Sequence, residues 1–263
     1  MQADWFTGDA DGGPAIGLWL GLANAYSAEL CATLGFDWLL IDAEHAPNTV
    51  RTVLHQLQAI SGSASTAVVR PSTTDTDTIK RYLDIGAQHL LLPMIESAHQ
   101  ARDAVAASRY PPHGTRGVGS ALARASQWGT RADYLETANA GIRLIAQIET
   151  PEAVAAVDAI AGTDGIDAVF VGLSDLAATM GHLGQPAHPE VQDAFAHVVA
   201  RARRAGKPVG TLAAGPALAR SAEEYGCSFI AVGTDIGLLA GGGRQLLAQA
   251  RGAVDGPLPT SGY

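Results

Sequence analysis

Eight short runs of apolar residues recur along the chain, and segments of helix-forming composition separate them. The runs are continuous rather than alternating with polar residues, which is typical of parallel strands covered on both faces. The intervening segments are rich in Ala, Leu, Glu and Arg, and several begin with Ser, Thr, Asp or Pro and end with Gly, as capped helices do. The predicted strands lie within residues 15–22, 38–45, 65–72, 89–96, 142–150, 165–175, 208–214 and 229–235.

This alternation predicts an α/β protein, a (β/α)₈ TIM barrel forming a single domain over residues 1–263. The length of 263 residues and the hydrophobic content of 47% fit one barrel-sized core better than two ordinary domains. The ends, about 1–13 and 253–263, are expected to be flexible. The connections 97–141 and 176–207 are longer than one helix needs. Because each follows a strand, we expect their first parts over the C-terminal face, where barrel enzymes build active sites.

The charge and composition exclude several classes of partner. The formal net charge of −9 argues against nucleic acid and anionic membranes. No stretch approaches the roughly 20 apolar residues of a membrane span, and the N-terminal segment lacks the basic and apolar regions of a signal peptide. We therefore expect a cytoplasmic protein that acts on small molecules. Cys31 and Cys227 are too few for a disulfide framework and are expected to be core thiols.

Polar side chains end several of the predicted strands. His45 follows the second strand, Arg70 the third and Asp175 the sixth. Gln147 and Glu149 lie two residues apart on the fifth strand, so both face the barrel interior or its mouth. Glu149 and Asp175 offer hard oxygen ligands that, with water and substrate oxygens, could hold Mg²⁺ or Mn²⁺. A Zn²⁺ site would be expected to show several His or Cys residues at ligand spacing, and the sequence shows none. Apart from His45, the histidines, including His182 and His188, are expected to be solvated or in the core.

These residues also have structural interpretations. Asp175 could be only the N-cap of the next helix, and an Arg such as Arg70 is usually solvated or paired with a surface acid. His45 alone fits a structural histidine as well as a catalytic one. Along an extended chain, the side chains of Asp42 and Glu44 face the side opposite to that of His45. They are therefore expected to orient His45 or the adjoining loop.

The lysines limit the mechanism. The chain has two, Lys80 in the middle of a predicted helix and Lys207 before the seventh strand, and neither is placed for a Schiff base in the barrel mouth. Carbon–carbon bond chemistry would therefore need a metal as electron sink. The Gly-rich segment 114–125 and the run "AVGTD" could bind an anion. Neither is a Walker or dinucleotide fingerprint, so no nucleotide cofactor is expected.

Several separated motifs resemble, in order, those of the HpcH/HpaI aldolase family over about residues 14–240. They are "DAEHAPN", "VRP", "GTRGVG", "QIETPEAV", "VFVGLSDLAATMG" and "AVGTD". The resemblance implies a metal-dependent 4-hydroxy-2-oxo-acid aldolase of the phosphoenolpyruvate/pyruvate barrel superfamily. It implies Mg²⁺, Mn²⁺ or Co²⁺ as cofactor, and pyruvate or a close 2-oxo acid such as hydroxypyruvate as product with an aldehyde. It also implies a homohexamer, a trimer of dimers, with the C-terminal helix packed on or exchanged with a neighbour.

The same resemblance assigns roles to the residues at the strand ends. Glu149 and Asp175 would hold the metal, and His45 would be the general base, acting through a water molecule. Arg70 would stabilise the developing enolate. The amides around Ser174 and Asp175 would receive the substrate carboxylate. The implied substrate-binding residues are Trp19, which fits a barrel filler and a pocket wall equally, Arg70, Gln147, Gly172, Ser174, Asp175 and Leu212.

Two features fit the family pattern less simply. The resemblance assigns Asp84 to raising the basicity of His45, yet Asp84 lies near the end of the helix before the fourth strand, on the far face of its own barrel. It would reach His45 from a neighbouring subunit or through an irregular helix, and Asp42 is the rival partner. Leu173 stands where family members often have Pro, which puts the acceptor preference in doubt.

Three other functions stay open at this point. A citrate-lyase-type or malyl-CoA-type lyase would use the same barrel, but coenzyme A needs cationic contacts and the acidic chain has no evident basic patch. A barrel that binds an oxo acid without catalysis is the second alternative. A proton-transfer isomerase that uses the same enolate chemistry is the third.

Overall fold

The computed structural model describes residues 5–8 and 13–252, which form a closed barrel of parallel strands surrounded by helices. Each strand pairs with its neighbours in sequence, and β8 pairs with β1 to close the barrel. The predicted (β/α)₈ barrel is therefore confirmed. The strands are β1 (Ala15–Leu20), β2 (Trp38–Asp42), β3 (Thr66–Arg70), β4 (His89–Leu92), β5 (Arg143–Ile148), β6 (Ala168–Val171), β7 (Val209–Leu212) and β8 (Phe229–Thr234).

Helices fill the connections between these strands. Several begin at side chains that accept a hydrogen bond from the first turn, such as Thr49, Asp75, Ser97 and Thr150, as the sequence predicts. The helices are α1 (Ala25–Ala32), α2 (Val50–Ile60), α3 (Thr76–Asp84), α4 (Ala98–Ser108), α5 (Tyr134–Thr137), α6 (Pro151–Ala155), α7 (Val157–Ala161), α8 (Leu173–Thr179), α9 (Pro189–Arg204), α10 (Pro216–Tyr225) and α11 (Asp235–Ala250). Short 3₁₀ turns lie at Trp5–Thr7, Arg124–Ser126 and Ala138–Gly141.

The barrel interior is filled by large aromatic side chains opposite glycines. A Cβ on Gly17 would lie 2.1 Å from Trp38 Cε2, and one on Gly210 would lie 2.2 Å from Phe229 Cε2. Because glycine has no Cβ at these two strand positions, the indole and phenyl rings can occupy that volume. A second and larger apolar layer lies between the strands and the surrounding helices.

The N-terminal face of the barrel is covered by the 3₁₀ turn Trp5–Thr7. The Trp5 ring lies 5.2 Å from the Trp38 ring and 5.4 Å from the Phe229 ring, centroid to centroid, and Phe6 is 2% exposed. The rings of Trp5 and Phe6 therefore pack against the barrel interior, and the flexibility of the chain ends stays a prediction. The segments 1–4, 9–12 and 253–263 of the predicted ends lie outside the described residues.

The two long connections differ in where they run. Residues 172–175 after β6 line the cavity at the C-terminal face, and α8 leads from there into the connection 176–207. The Gly-rich segment 114–125 lies at the opposite face, where Arg124 Nη1 donates a hydrogen bond to the Ile85 carbonyl at 3.0 Å. Because α4 runs antiparallel to the strands, the residues that follow it start at the N-terminal end. In "AVGTD", the Asp235 carboxylate accepts the backbone N–H groups of Gly21 and Leu22 and so fixes the β1–α1 turn.

Both cysteines are buried free thiols, which confirms their prediction as core residues. Burial raises the pKa of the Cys227 thiol to about 12. None of the helices in the described part of the chain combines the length and the apolar character needed to cross a membrane.

Candidate active site

A cavity of about 210 Å³ opens at the C-terminal ends of the strands. It brings together the side chains that the sequence analysis assigned to substrate binding, together with the predicted base. Its lining residues are Trp19, His45, Arg70, Gln147, Phe170, Gly172, Leu173, Ser174, Asp175 and Leu212.

The strand register explains why these side chains meet. Asp42 pairs with Arg70 across β2 and β3, and Gln147 pairs with Phe170 across β5 and β6. In parallel strands, paired residues face the same side of the sheet, and every second residue shares that side. Trp38 and Leu40 face the barrel interior. Asp42, two residues further along the same strand, faces the same side at the C-terminal end, where the barrel opens.

Arg70 is held by two acids and one indole ring. Arg70 Nε and Nη2 donate to Asp42 Oδ1 and Oδ2 at 3.0 and 2.7 Å, and Nη1 lies 2.8 Å from Glu44 Oε2. The guanidinium carbon lies 5.0 Å from the centre of the Trp19 ring, whose Nε1 donates to Asp42 Oδ2 at 3.2 Å. A guanidinium has more N–H donors than these contacts use, so Arg70 keeps donors for an anion in the cavity.

Asp42 accepts hydrogen bonds from both Arg70 and the backbone of the next turn. Its Oδ1 accepts the N–H groups of Glu44 and His45 at 2.9 and 3.3 Å. Burial acts to raise the pKa of Asp42, but hydrogen bonds and charge from Arg70, with the Glu44 N–H, outweigh burial and lower that pKa. Asp42 is therefore an ionised carboxylate at neutral pH that fixes the loop bearing His45.

His45 lines the cavity with a side chain that is 65% exposed. Its Nε2 lies 3.7 Å from Glu44 Oε2, beyond hydrogen-bonding distance. Asp42 uses its oxygens for Arg70, Trp19 and the turn backbone, so it orients the loop and does not bind the imidazole. This agrees with one of the two roles that the sequence analysis left open for Asp42.

Asp84 lies away from the cavity within one chain. At the end of α3, its Oδ1 accepts from Arg116 Nη2 at 2.7 Å, and Arg116 Nη2 also lies 3.2 Å from the Tyr134 hydroxyl. Arg116 and Tyr134 line a separate cavity of about 680 Å³ beside the α3–β4 turn, on the opposite face. The single chain does not bring Asp84 to His45, and its supply by a neighbouring subunit stays a prediction.

Glu149 is a buried acid among other acids. It is 2% exposed, its Oε1 accepts the Met94 N–H at 2.8 Å, and its Oε2 accepts the Gln147 side-chain amide. Met94 holds this N–H in place with a φ of 53°, in the left-handed region that side chains rarely adopt. Burial raises the pKa of Glu149, and the nearby charges of Asp175 and Glu44 raise it further.

The surroundings of Glu149 fit a divalent cation. Gln147 Oε1 is buried and, among the described residues, has no hydrogen-bond partner. A Cβ on Gly172 would lie 2.7 Å from Glu149 Oε2, so glycine there leaves room beside the carboxylate. Mutually repelling carboxylates and an unpaired amide oxygen form a hard oxygen donor set of the kind that Mg²⁺ and Mn²⁺ take. The charge of Asp175 acts on Glu149, and these two acids stay the predicted ligands.

Both lysines lie outside this cavity. Lys80 Nζ pairs with Asp77 Oδ1 at 2.9 Å on α3, and Lys207 Nζ donates to the Ile166 carbonyl at 2.6 Å below β7. The amine that a Schiff base needs is therefore held at other parts of the barrel.

Sequence reasoning missed Phe170 and Met94. Phe170 lines the cavity, and its ring lies 5.7 Å from that of Trp19. Its position two residues before Gly172 on a strand places it on the inward face, so the two-residue period could have identified it. Met94 acts through its backbone N–H, for which the sequence carries no signal.

Comparisons with known proteins identify the family of this chain. Residues 15–241 match the model of the HpcH/HpaI aldolase/citrate lyase family. A 4-hydroxy-2-oxo-heptane-1,7-dioate aldolase of Salmonella dublin is 57% identical over 238 residues, which cover 90% of this chain and 90% of that protein.

Solved structures give the same result. A HpcH/HpaI aldolase/citrate lyase family protein from Burkholderia cenocepacia J2315 is 43% identical, with a TM-score of 0.88 over 91% of this chain and 95% of that one. An HpcH/HpaI aldolase from Desulfitobacterium hafniense DCB-2 is 29% identical, with a TM-score of 0.83 over 94% and 96% of the two chains. The relatives named as aldolases favour that activity over the citrate-lyase-type alternative. The resemblance drawn from the sequence motifs is confirmed, and the chain belongs to the HpcH/HpaI aldolase/citrate lyase family.

Proposed function

We propose that this protein is a divalent-metal-dependent pyruvate aldolase that reversibly cleaves 4-hydroxy-2-oxo acids between C3 and C4. The observation that carries the proposal is the cavity of about 210 Å³ that the clamped Arg70 and Asp175 both line, beside the buried Glu149 carboxylate, whose pKa burial and the charge of Asp175 raise. The products are pyruvate, or a close 2-oxo acid such as hydroxypyruvate, and an aldehyde. The name of the Salmonella relative supports 4-hydroxy-2-oxoheptanedioate as substrate, whose cleavage would release a four-carbon aldehyde that carries a carboxylate.

Binding of the 2-oxo acid uses residues that line the cavity. The backbone amides around Ser174 and Asp175 receive the substrate carboxylate, since the first N–H groups of a helix have no partner within the helix. Arg70 directs its remaining N–H groups at the 2-oxo oxygen, and Gln147 contacts the substrate from β5. Trp19 and Leu212 form apolar walls beside the aldehyde half. Gly172 leaves the space between the substrate and Glu149.

Proton transfer is assigned to His45. The imidazole, acting through a water molecule, takes the proton of the C4 hydroxyl group as the C3–C4 bond breaks and the aldehyde forms. The bonding electron pair remains on the three-carbon fragment as the enolate, whose oxygen Arg70 stabilises where negative charge develops. Return of a proton to C3 then completes pyruvate, so the hydroxyl proton lost from C4 is balanced.

The acids at the mouth would hold the metal. We assign Glu149 and Asp175 as ligands of Mg²⁺, Mn²⁺ or Co²⁺. When bound, such an ion supplies Lewis-acid stabilisation of negative charge at the 2-oxo oxygen. Asp84 is assigned the role of raising the basicity of His45, and it would act on the His45 of a neighbouring subunit.

Exposed leucines support a homo-oligomer. On α11, Leu238 and Leu239 are 54% and 67% exposed, and Leu246 and Leu247 are 48% and 50% exposed. A run of exposed leucines on one helix is typical of a surface that another chain covers. We propose a hexamer, a trimer of dimers, in which α11 packs on or exchanges with a neighbour. The free buried thiols fit a reducing compartment, and we place the protein in the cytoplasm.

A pyruvate-release assay over a panel of 4-hydroxy-2-oxo acids tests the proposal. The wild-type protein should release pyruvate, lose this activity after thorough chelation, and regain it with added Mg²⁺, Mn²⁺ or Co²⁺. The Glu149→Gln variant should not regain it. Activity that survives chelation, or a pyruvate adduct trapped by borohydride, would contradict the metal-dependent mechanism. Binding of a 2-oxo acid without pyruvate release would favour a non-catalytic barrel.

A further inference from the structure

A second group of metal-ligating side chains lies in the connection between α8 and α9. Residues 180–188 reverse the chain there, with Gly181 and Gly184 at φ values of 86° and 75°. The turn is held by backbone hydrogen bonds, from the His182 N–H to the Ala177 carbonyl at 2.7 Å and from the His188 N–H to the Gln185 carbonyl at 2.9 Å. These contacts fix the backbone beneath two histidines.

His182, His188 and Glu190 meet above this turn. The two imidazole rings stack with centroids 3.5 Å apart and planes 16° from parallel. His182 Nε2 lies 2.9 Å from Glu190 Oε2. One potential ligand atom from each residue lies within 4.8 Å of the other two. The His182 side chain is 20% exposed and that of Glu190 is 68% exposed, so the cluster is accessible to ions from solvent.

The composition of this cluster differs from that of the cavity acids. Two imidazoles and one carboxylate are the ligands of many three-ligand Zn²⁺ sites, and they also suit Co²⁺, Ni²⁺ and Cu²⁺. Oxygen ligands alone, as at Glu149 and Asp175, favour Mg²⁺ or Mn²⁺. The two sites should therefore select different ions.

The geometry requires one local adjustment. Ligand atoms that share an ion at about 2.0–2.2 Å lie no more than about 4.4 Å apart, which is close to the 4.8 Å within which these atoms already lie. The stacked rings must open so that a nitrogen lone pair of each points at the ion. Glu190 is exposed, so its carboxylate can exchange the contact with His182 Nε2 for a bond to the ion.

We propose that His182, His188 and Glu190 form a second metal site, which takes Zn²⁺ or a similar transition ion and ties the end of α8 to the start of α9. Since α8 carries Ser174 and Asp175, the ion at this site would restrain the helix that forms one wall of the cavity. The site is structural, and its occupancy does not depend on the aldolase proposal.

The test separates this site from the cavity acids by using a Glu149→Gln, Asp175→Asn variant as the parent protein. Equilibrium dialysis of the metal-stripped parent against Zn²⁺ should give about one ion per chain. Titration with Co²⁺ should give the visible absorption of a site with nitrogen ligands. Saturation with Zn²⁺ should also raise the thermal unfolding temperature.

Two further variants are designed to remove the site without unfolding the connection. His188 is the N-cap of α9, where its side chain accepts the Glu190 N–H at 3.3 Å, and Asn is a preferred N-cap. His188→Asn should therefore keep the helix start and lose the bound Zn²⁺, and Glu190→Gln should lose it too. His99→Ala is the matched control, since it removes an exposed histidine 3.5 Å from Asp103 on α4.

The outcomes decide the proposal. Loss of one Zn²⁺ equivalent and of the thermal shift in His188→Asn and Glu190→Gln, with both retained in His99→Ala, supports it. No stoichiometric Zn²⁺ binding to the parent protein would overturn it. Equal Zn²⁺ binding by the parent and the His188→Asn variant would also overturn it. If the parent variant does not fold, the same titration of the wild-type protein in saturating Mg²⁺ gives the same decision.

Discussion

At the scale of single residues, Arg70 links the parts of the cavity. It is 7% exposed, and three side chains hold it from different strands and from the loop after β2. A buried guanidinium that keeps free donors is organised before the substrate arrives, which is the condition for strong stabilisation of a developing anion. A lysine would keep the charge but not the planar fork that Asp42 grips.

Replacement of Arg70 should therefore affect turnover more than substrate binding. We expect Arg70→Ala to lower kcat by about 10²–10³, as loss of an oxyanion donor does, and Arg70→Lys to restore only part of it. Pyruvate release measures the effect, with circular dichroism to verify folding. Arg109→Ala, which removes a partly buried arginine that lies 3.4 Å from Asp164 and does not line the cavity, is the control. Near-normal kcat in Arg70→Ala would remove Arg70 from this role.

Asp42 should make the stability of the protein depend on pH. Because its pKa is lowered in the folded state, its contribution is fully present above the ordinary Asp pKa of about 3.9 and is lost as the pH falls through the folded-state pKa. The difference in unfolding temperature between wild type and Asp42→Asn should be largest near pH 7 and should shrink below about pH 4. Thermal melts at pH 3 to 7 measure this difference. A gap that stays constant over that range would contradict the ion pair.

Much of the cavity could be predicted at this scale. The two-residue period of a strand places Gln147 and Glu149 on one face, and the motif resemblance added Gly172, Ser174 and Leu212. The contacts of Arg70 with Glu44 and of Glu149 with the Met94 N–H could not be predicted. They depend on side-chain rotamers and on a left-handed backbone residue, neither of which follows from composition or spacing.

At the scale of elements, the turn from β6 into α8 decides how closely the cavity acids approach. The Gly172 N–H bonds to the Ile148 carbonyl at 3.0 Å, which fixes the turn against β5. Because a side chain at this position would lie 2.7 Å from Glu149 Oε2, the turn and the carboxylate are packed against each other.

Gly172→Ala should displace the Glu149 carboxylate. We expect affinity for Mn²⁺ to fall by about 10–100-fold, comparable with losing a residue that supports a metal ligand, and pyruvate release to fall with it. Isothermal titration measures the affinity. Gly62→Ala is the matched control, because a Cβ at that position meets no atom within 4 Å. Unchanged Mn²⁺ affinity in Gly172→Ala would show that the acids do not hold the ion together.

The boundaries of the elements show where sequence reasoning reached its limit. The predicted strands contain the observed ones but extend beyond them at the C-terminal ends, as with 38–45 against Trp38–Asp42. The apolar residues form the strand, but the polar residues after it leave the hydrogen-bonded sheet and lie around the cavity. Only the first part of the connection 97–141 was expected over the C-terminal face, and the antiparallel course of α4 carries the later segment 114–125 to the opposite face.

At the scale of the whole molecule, the exposed leucines of α11 predict an assembly. The wild-type protein should have a mass several times that of one chain by light scattering. Leu239→Glu combined with Leu246→Glu should shift this mass downward, since charge in a buried apolar contact is costly. Arg251→Glu, just beyond the helix, is the control. A wild-type protein that is a monomer, or a double variant of unchanged mass, would contradict the proposed hexamer.

An assembly would also bear on the site, because within one chain Asp84 contacts Arg116 and not His45. Single-chain periodicity predicted the barrel, since each β/α unit buries its own apolar face. It could not predict contacts between copies, because those depend on surfaces that the chain alone leaves exposed.

The most direct test of the central claim is a crystal structure of the protein with Mn²⁺ and pyruvate, read from anomalous scattering. We predict an anomalous peak between the Glu149 and Asp175 carboxylates, about 2.1 Å from an oxygen of each, with pyruvate between the ion and Arg70. Glu149 and Asp175 side chains that diverge, with no Mn²⁺ between them, would contradict the account.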